Sequence, residues 1–225
     1  MIPRNRIGTA LIPGTNVELQ LYQSGDLFSI KIPGRGDLMN SRMHGSEKAL
    51  AELACARIAR VQKPRLLIGG LGMGFTLAAA LETVGPDAEV VVAELVPEVV
   101  EWNRTLIGAP SGHPLADPRS SVHVGDVADL IRQSAGGFDA VLMDVDNGPE
   151  ALVRSENDWL YSDDGLRATR AALRPRGVLA VWSASPDRAF GKRLQQAGCD
   201  VDEHVVRPHR AGKGPRHTIW IAAES

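Results

Sequence analysis

The stretch from Pro64 to Glu94, PRLLIGGLGMGFTLAAALETVGPDAEVVVAE, leaves this chain few folds to adopt. Leu66, Leu67 and Ile68 form a short apolar run that stops at Gly69-Gly70-Leu71-Gly72-Met73-Gly74, and Thr76 to Thr83 then has helical composition. Val90 to Ala93 makes a second buried strand, ending on Glu94. A glycine turn between strand and helix lets backbone N–H groups approach a ligand closely, and an acid closing the next strand can hold a ribose. The stretch therefore predicts a nucleoside site at the carboxyl edge of an α/β sheet.

The rest of the chain arranges itself around that unit. Val17 to Gln23 and Leu27 to Ile32 alternate apolar and polar residues across Ser24-Gly25-Asp26, which predicts a hairpin; Leu38 to Arg42 adds a third short strand. Gly45-Ser46 caps a helix from about Glu47 to Val61, with Leu50, Leu53, Ala54, Ile58 and Val61 on its buried face. After Glu94, helices over Pro97 to Leu106, Val127 to Gln133, Asp163 to Leu173 and Arg188 to Gly198 interleave with strands over Val122 to Val124, Phe138 to Met143 and Gly177 to Ser183. Val201 to Val206 and His217 to Ala222 close the chain as an antiparallel pair. Buried, non-alternating strands between helices imply a mainly parallel, doubly wound sheet covered on both faces. We expect a small β-segment over 1–43 and a Rossmann-like domain over 44–225, with an antiparallel last strand in a seven-stranded sheet.

Composition narrows the partners. A chain of 225 residues with 44% hydrophobic content has room for one sizeable domain, and a net charge of -2 gives no field for nucleic acid or anionic membrane. The longest uncharged run, Leu66 to Leu81, has 16 residues and four glycines, short of the ~20 that a membrane helix needs. Cys55 and Cys199 form no metal-ligand or disulfide pattern. A cytoplasmic protein acting on a small molecule, without metal, is the expectation. The basic turn RPHRAGKGPRH, from Arg207 to His217, reads either as a solvated hairpin or as an attractor for an acidic substrate.

Taken together, Gly70-x-Gly72-x-Gly74 with Glu94 twenty residues on, the His44-Gly45-Ser46-Glu47 helix start, VHVGDVADLI, FDAVLMDVDN and GVLAVWS resemble the spermidine synthase (aminopropyltransferase) family. That family has the class I methyltransferase fold. The resemblance implies S-adenosylmethionine or its decarboxylated form as nucleoside, contacted by Gly70, Gly72, Met73, Gly74, Glu94, Asp126 and Val127. In it Glu94 would hold the ribose hydroxyls, Asp126 the adenine amino group, and the turn the methionine-like part. It also implies a dimer or higher homo-oligomer. The chain departs from the family at three places: the glycine turn carries no acid, the fourth strand ends in Asp144-Val145-Asp146-Asn147 with asparagine at the position of the second aspartate, and the tyrosine and histidine usual just before the first helix are represented only by Met43-His44.

Chemistry at the acceptor side follows from residue type. An amine with pKa ~10.4 must lose a proton before it attacks a sulfonium carbon, which Asp144 or Asp146 could accept while Asn147 orients the nitrogen. His44 is a further candidate, and Tyr161 and Trp182 are candidate acceptor walls. Each has a structural alternative: a turn for Asp144 to Asn147, a helix cap for Glu94, Asp126 and His44, and core packing for Trp182. The sequence thus predicts a transferase moving an alkyl group from a sulfonium nucleoside to a small amine. Loss of the family's acids favours methyl transfer narrowly over aminopropyl transfer, with a nucleoside-binding module lacking catalysis as the third reading.

Overall fold

Four antiparallel strands come first: β1 (Asn5–Leu11), β2 (Glu18–Ser24), β3 (Leu27–Ile32) and β4 (Gly36–Asn40), paired in that order. The structure is a computed structural model and describes residues 3–145, 159–208 and 215–224. Three of these strands match the sequence reading, and β1 is additional. Its residues NRIGTAL bury only Ala10 and are interrupted by a bulge between Arg6 and Gly8, so no alternation marks it as a strand. Gly8 lies against the indole of Trp102, where an added Cβ would come within 2.9 Å of Nε1.

Helix α1 (Gly45–Arg57) leads to β5 (Arg65–Gly69), α2 (Phe75–Thr83), β6 (Glu89–Glu94) and α3 (Pro97–Thr105), which starts on proline where no intrahelical N–H is needed. Two short 3₁₀ turns follow in the Gly/Pro/Ser-rich loop, then β7 (Ser120–Val124), α4 (Val127–Gln133) and β8 (Phe138–Met143). The chain continues through α5 (Asp163–Ala172), β9 (Leu173–Ser183), α6 (Arg188–Gln196), β10 (Cys199–Val206) and β11 (His217–Glu224). Side-chain oxygens of Asp126, Ser162 and Asp187 cap α4, α5 and α6, accepting from the N–H groups of Ala128, Gly165 and Phe190. Strand β9 begins four residues before the expected Gly177 because its first half, LRPR, is polar and partly exposed.

The second sheet has seven strands in the order β10-β11-β9-β8-β5-β6-β7. Strands β5 to β9 run parallel, and β11 is antiparallel to both β9 and β10. Alternate residues of each central strand point to opposite faces. Leu66, Ile68, Val90, Val92, Ala140 and Leu142 therefore pack with α1 and α2, through Leu50, Ala54 and Leu77. Leu67, Val91, Val141, Met143, Leu179 and Trp220 pack with α4, α5 and α6, through Ile131, Leu166 and Phe190. This double coverage explains why the strands read as continuous apolar runs.

A third apolar cluster joins the four-stranded sheet to the larger one. Leu19, Leu21, Ile30 and Ile32 meet Met73, Phe75, Val99 and Trp102 from the glycine turn, α2 and α3. The small sheet is thereby held over the carboxyl ends of β5 and β6. No helix among the described residues is long and apolar enough to cross a membrane.

Candidate functional site

The glycine turn is built by backbone conformation. Gly70 and Gly72 have φ of 88° and 52°, the left-handed region that side chains disfavour. At Gly70 space forbids a side chain as well, since a Cβ there would lie 2.4 Å from the carbonyl oxygen of Asp144. Glu94, 8% exposed, pins the turn: its Oε2 accepts the Leu71 N–H at 3.0 Å and its Oε1 the Val96 N–H at 2.9 Å. Asn103 on α3 braces the other side by donating from Nδ2 to the Gly72 carbonyl at 2.8 Å.

Beside this turn lies a cavity of about 780 Å³ counted to its mouth, within the range of small-molecule sites. Gly70, Gly72, Glu94, Asp126, Val127 and Asp144 line its floor, and Ile12, Leu19, Ile30, Leu38 and Met39 of the small sheet and its loops cover it. The carboxyl ends of β5, β6, β7 and β8 thus converge as a doubly wound sheet requires. Asp126 both caps α4, at 2.9 Å from the Ala128 N–H, and borders the cavity, so its two sequence readings coexist.

A second cavity, of about 540 Å³, adjoins the first. Leu38, Met39, Gly72 and Asp144 border both, and the second is completed by Asn40, Glu47, Met73, Phe75, Thr76 and Trp182. Asp144 and Glu47 are two carboxyl groups facing one small space. Desolvation pushes the Asp144 carboxyl up to about 6, against the stabilising hydrogen bond from the Thr76 hydroxyl at 2.5 Å. Desolvation, with repulsion from Asp144 second, pushes Glu47 up to about 7. Such a pair carries a proton near neutrality and has a strong preference for a cation between its members.

The remaining candidates divide between the cavities and the packing around them. Met73 borders the second cavity and belongs to the cluster beneath the small sheet, and Trp182, 9% exposed, borders the second cavity with its Nε1 buried and without a partner among the described residues. His44 stacks on Phe75 with ring centroids 4.1 Å apart and lines neither cavity. Tyr161 is in the core under α6, edge-on to Phe190, and also lines neither. Asp146 and Asn147 lie outside the described residues.

Sequence reasoning missed Glu47 as a site residue, although a signal existed. Glu47 shares the spacing of Leu50, Ala51 and Ala54, which places an acid on the buried face of α1. Thr76, Asn103 and the apolar cover from the small sheet left no comparable mark.

The seven-stranded order, the antiparallel β11 and the glycine turn at the end of β5 define a class I methyltransferase-type α/β fold. Among solved structures, the chain superposes over its whole length on the spermidine synthase of Thermotoga maritima, with a TM-score of 0.77 at 16% identity and 75% of that chain covered. It matches a spermidine synthase bound to the transition-state analogue AdoDATO equally well, with a TM-score of 0.76 at 17% identity and 74% covered. In sequence it is 34% identical over 163 residues to a polyamine aminopropyltransferase of Nitrosomonas europaea, across 70% of this chain and 47% of the relative. A polyamine aminopropyltransferase of Corynebacterium efficiens is 32% identical over 155 residues, across 64% of this chain and 28% of that one. No family model matches the chain. The chain is spermidine synthase-like in sequence and in fold, and it spans less than half the length of these curated relatives.

Proposed function

We propose that the protein transfers an aminopropyl group from decarboxylated S-adenosylmethionine to a small amine, with the nucleoside in the larger cavity and the amine in the smaller. The observation that carries this reading is the junction of the two cavities at Gly72 and Asp144, with Glu47 facing the same space. The nucleoside supplies an electrophilic carbon bonded to a sulfonium. Asp144 and Glu47 attract the amine as an ammonium and, with pKa values of about 6 and 7, can take its proton and release it again near neutral pH. The same two acids repel the carboxylate of intact S-adenosylmethionine. This and the names of the relatives favour aminopropyl over methyl transfer, the reverse of the narrow preference drawn from sequence alone.

Within this reading Glu94, Asp126, Val127 and the glycine turn hold the nucleoside, and Trp182 walls the amine. Isothermal titration with the two nucleosides tests it: the decarboxylated form is expected to bind more tightly, and preference for S-adenosylmethionine would restore methyl transfer. In the same titration Glu94→Ala is expected to weaken nucleoside binding by about 1 to 3 kcal/mol, as for a lost hydrogen bond to a charged group. Unchanged affinity removes Glu94 from the site.

A further inference from the structure

The proton that the amine must lose needs a way out, because the acid pair must be deprotonated again before the next turnover. From Glu47 a chain of hydrogen-bonded side chains continues through Ser46 to His217. The Ser46 hydroxyl lies 2.6 Å from Glu47 Oε2, and His217 Nδ1 lies 2.9 Å from Ser46 Oγ. Ser46 is fully buried at the start of α1, and His217 is half-buried at the start of β11. His217 is held edge-on to Trp182, ring centroids 4.8 Å apart, and the backbone N–H of Gly45 donates to the Pro208 carbonyl at 3.0 Å, fixing α1 against this end of the sheet.

We infer that Glu47, Ser46 and His217 form a proton relay that drains the acceptor pocket. The inference rests on the aminopropyl-transfer reading and adds to it the route by which its proton departs. The ammonium gives one proton to the Glu47 carboxylate, directly or through Asp144. Protonated Glu47 donates to Ser46 Oγ as the Ser46 hydroxyl turns to donate to His217 Nδ1, in the tautomer with its proton on Nε2. Moving one proton along each bond leaves Glu47 ionised, Ser46 again donating to it and His217 as imidazolium, which loses its Nε2 proton to solvent; exchange of the two imidazole tautomers through solvent then restores the Nε2–H form for the next turnover. The neutral amine nitrogen then bonds to the propyl carbon while the carbon–sulfur bond breaks, its electron pair remaining on sulfur. One proton is released in all, and no oxidant or further reactant is needed.

Burial keeps the His217 imidazole below its usual value, which favours its neutral form between turnovers and its prompt loss of the relayed proton. Among the described residues, the titratable and charged groups on the elements packed around it are Glu47, backed by Asp144, on the α1 side, and His204 on β10, whose cross-strand partner Ile219 shares the face of His217; Arg207 follows the end of β10. Strand β9 contributes Trp182 and no charge to that face.

His217→Gln and Ser46→Ala, each compared with wild type, test the relay. Both are expected to lower kcat by about 10²-fold, the low end of an acid–base contribution, with the KM for amine changed less than about threefold and nucleoside affinity intact as the control for folding. Added imidazole is expected to restore turnover in His217→Gln. If the wild type turns over and neither variant loses kcat, or the loss is all in KM without imidazole rescue, the relay is overturned and the transfer reading stands. A wild type that transfers nothing overturns the reading on which the relay rests.

Discussion

Asp144→Asn is expected to reduce turnover by at least about 10²-fold and, at the same time, to raise the thermal stability of the protein at pH 8. The two effects have one origin. The Asp144 and Glu47 carboxyls have folded-state pKa values above their ordinary 3.8 and 4.5, at about 6 and 7. Between the ordinary and raised values the folded protein binds more protons than the unfolded chain, so stability falls as pH rises through that window. The penalty is absent below about pH 4, where both states are protonated, and complete above about pH 7. An asparagine at 144 keeps an acceptor for the Thr76 hydroxyl but removes the charge, so the gain in melting temperature should be present at pH 8 and absent at pH 4. Thermal melts at the two pH values, with turnover at pH 8, check both halves. A variant less stable than wild type at pH 8 contradicts the acid pair.

Gly70→Ala is expected to be strongly destabilising, because strain and collision act together at one position. A side chain at φ 88° costs about 1 to 2 kcal/mol. The Cβ would also meet the Asp144 carbonyl oxygen at 2.4 Å, and forcing such a contact costs about 1 to 3 kcal/mol more. Urea denaturation is expected to show a loss of about 2 to 5 kcal/mol, and nucleoside binding should fail because the collision moves Asp144. A variant within about 0.5 kcal/mol of wild type would mean that the turn is not held against β8 as described.

What could be read from the sequence was what local pattern encodes. Strands β5, β6 and β8 were legible because burial on both faces makes them continuous apolar runs, and the glycine turn because only glycine tolerates its backbone. Strand β1 was not, since an edge strand with one buried side chain has no alternation to detect. The larger cavity was legible in outline: the candidates on its floor lie at or just beyond the ends of strands. The smaller cavity was not, because its members meet only through tertiary structure. Glu47 reaches Asp144 across two elements, and His217 reaches Ser46 across 171 residues of chain. The missing acid of the glycine turn looked like a loss of amine chemistry. The structure places another acid, from α1, at the adjoining cavity.

The Trp residues illustrate the same division. Trp102 is 6% exposed beneath the small sheet, where it packs in the apolar cluster. Trp159 lies under the Arg132 guanidinium, 3.8 Å from its ring centroid, away from both cavities. Trp182 differs from them because β9 ends at the second cavity, a placement that only sheet order reveals.

The central claim is transfer of an aminopropyl group, and mass spectrometry of the purified protein incubated with decarboxylated S-adenosylmethionine and a panel of diamines tests it most directly. The account predicts an amine heavier by one aminopropyl group, formed together with an equal amount of 5'-methylthioadenosine and lost in Asp144→Asn. Tight binding of the nucleoside with neither product formed, across the whole panel, would contradict it and leave a binding module in its place.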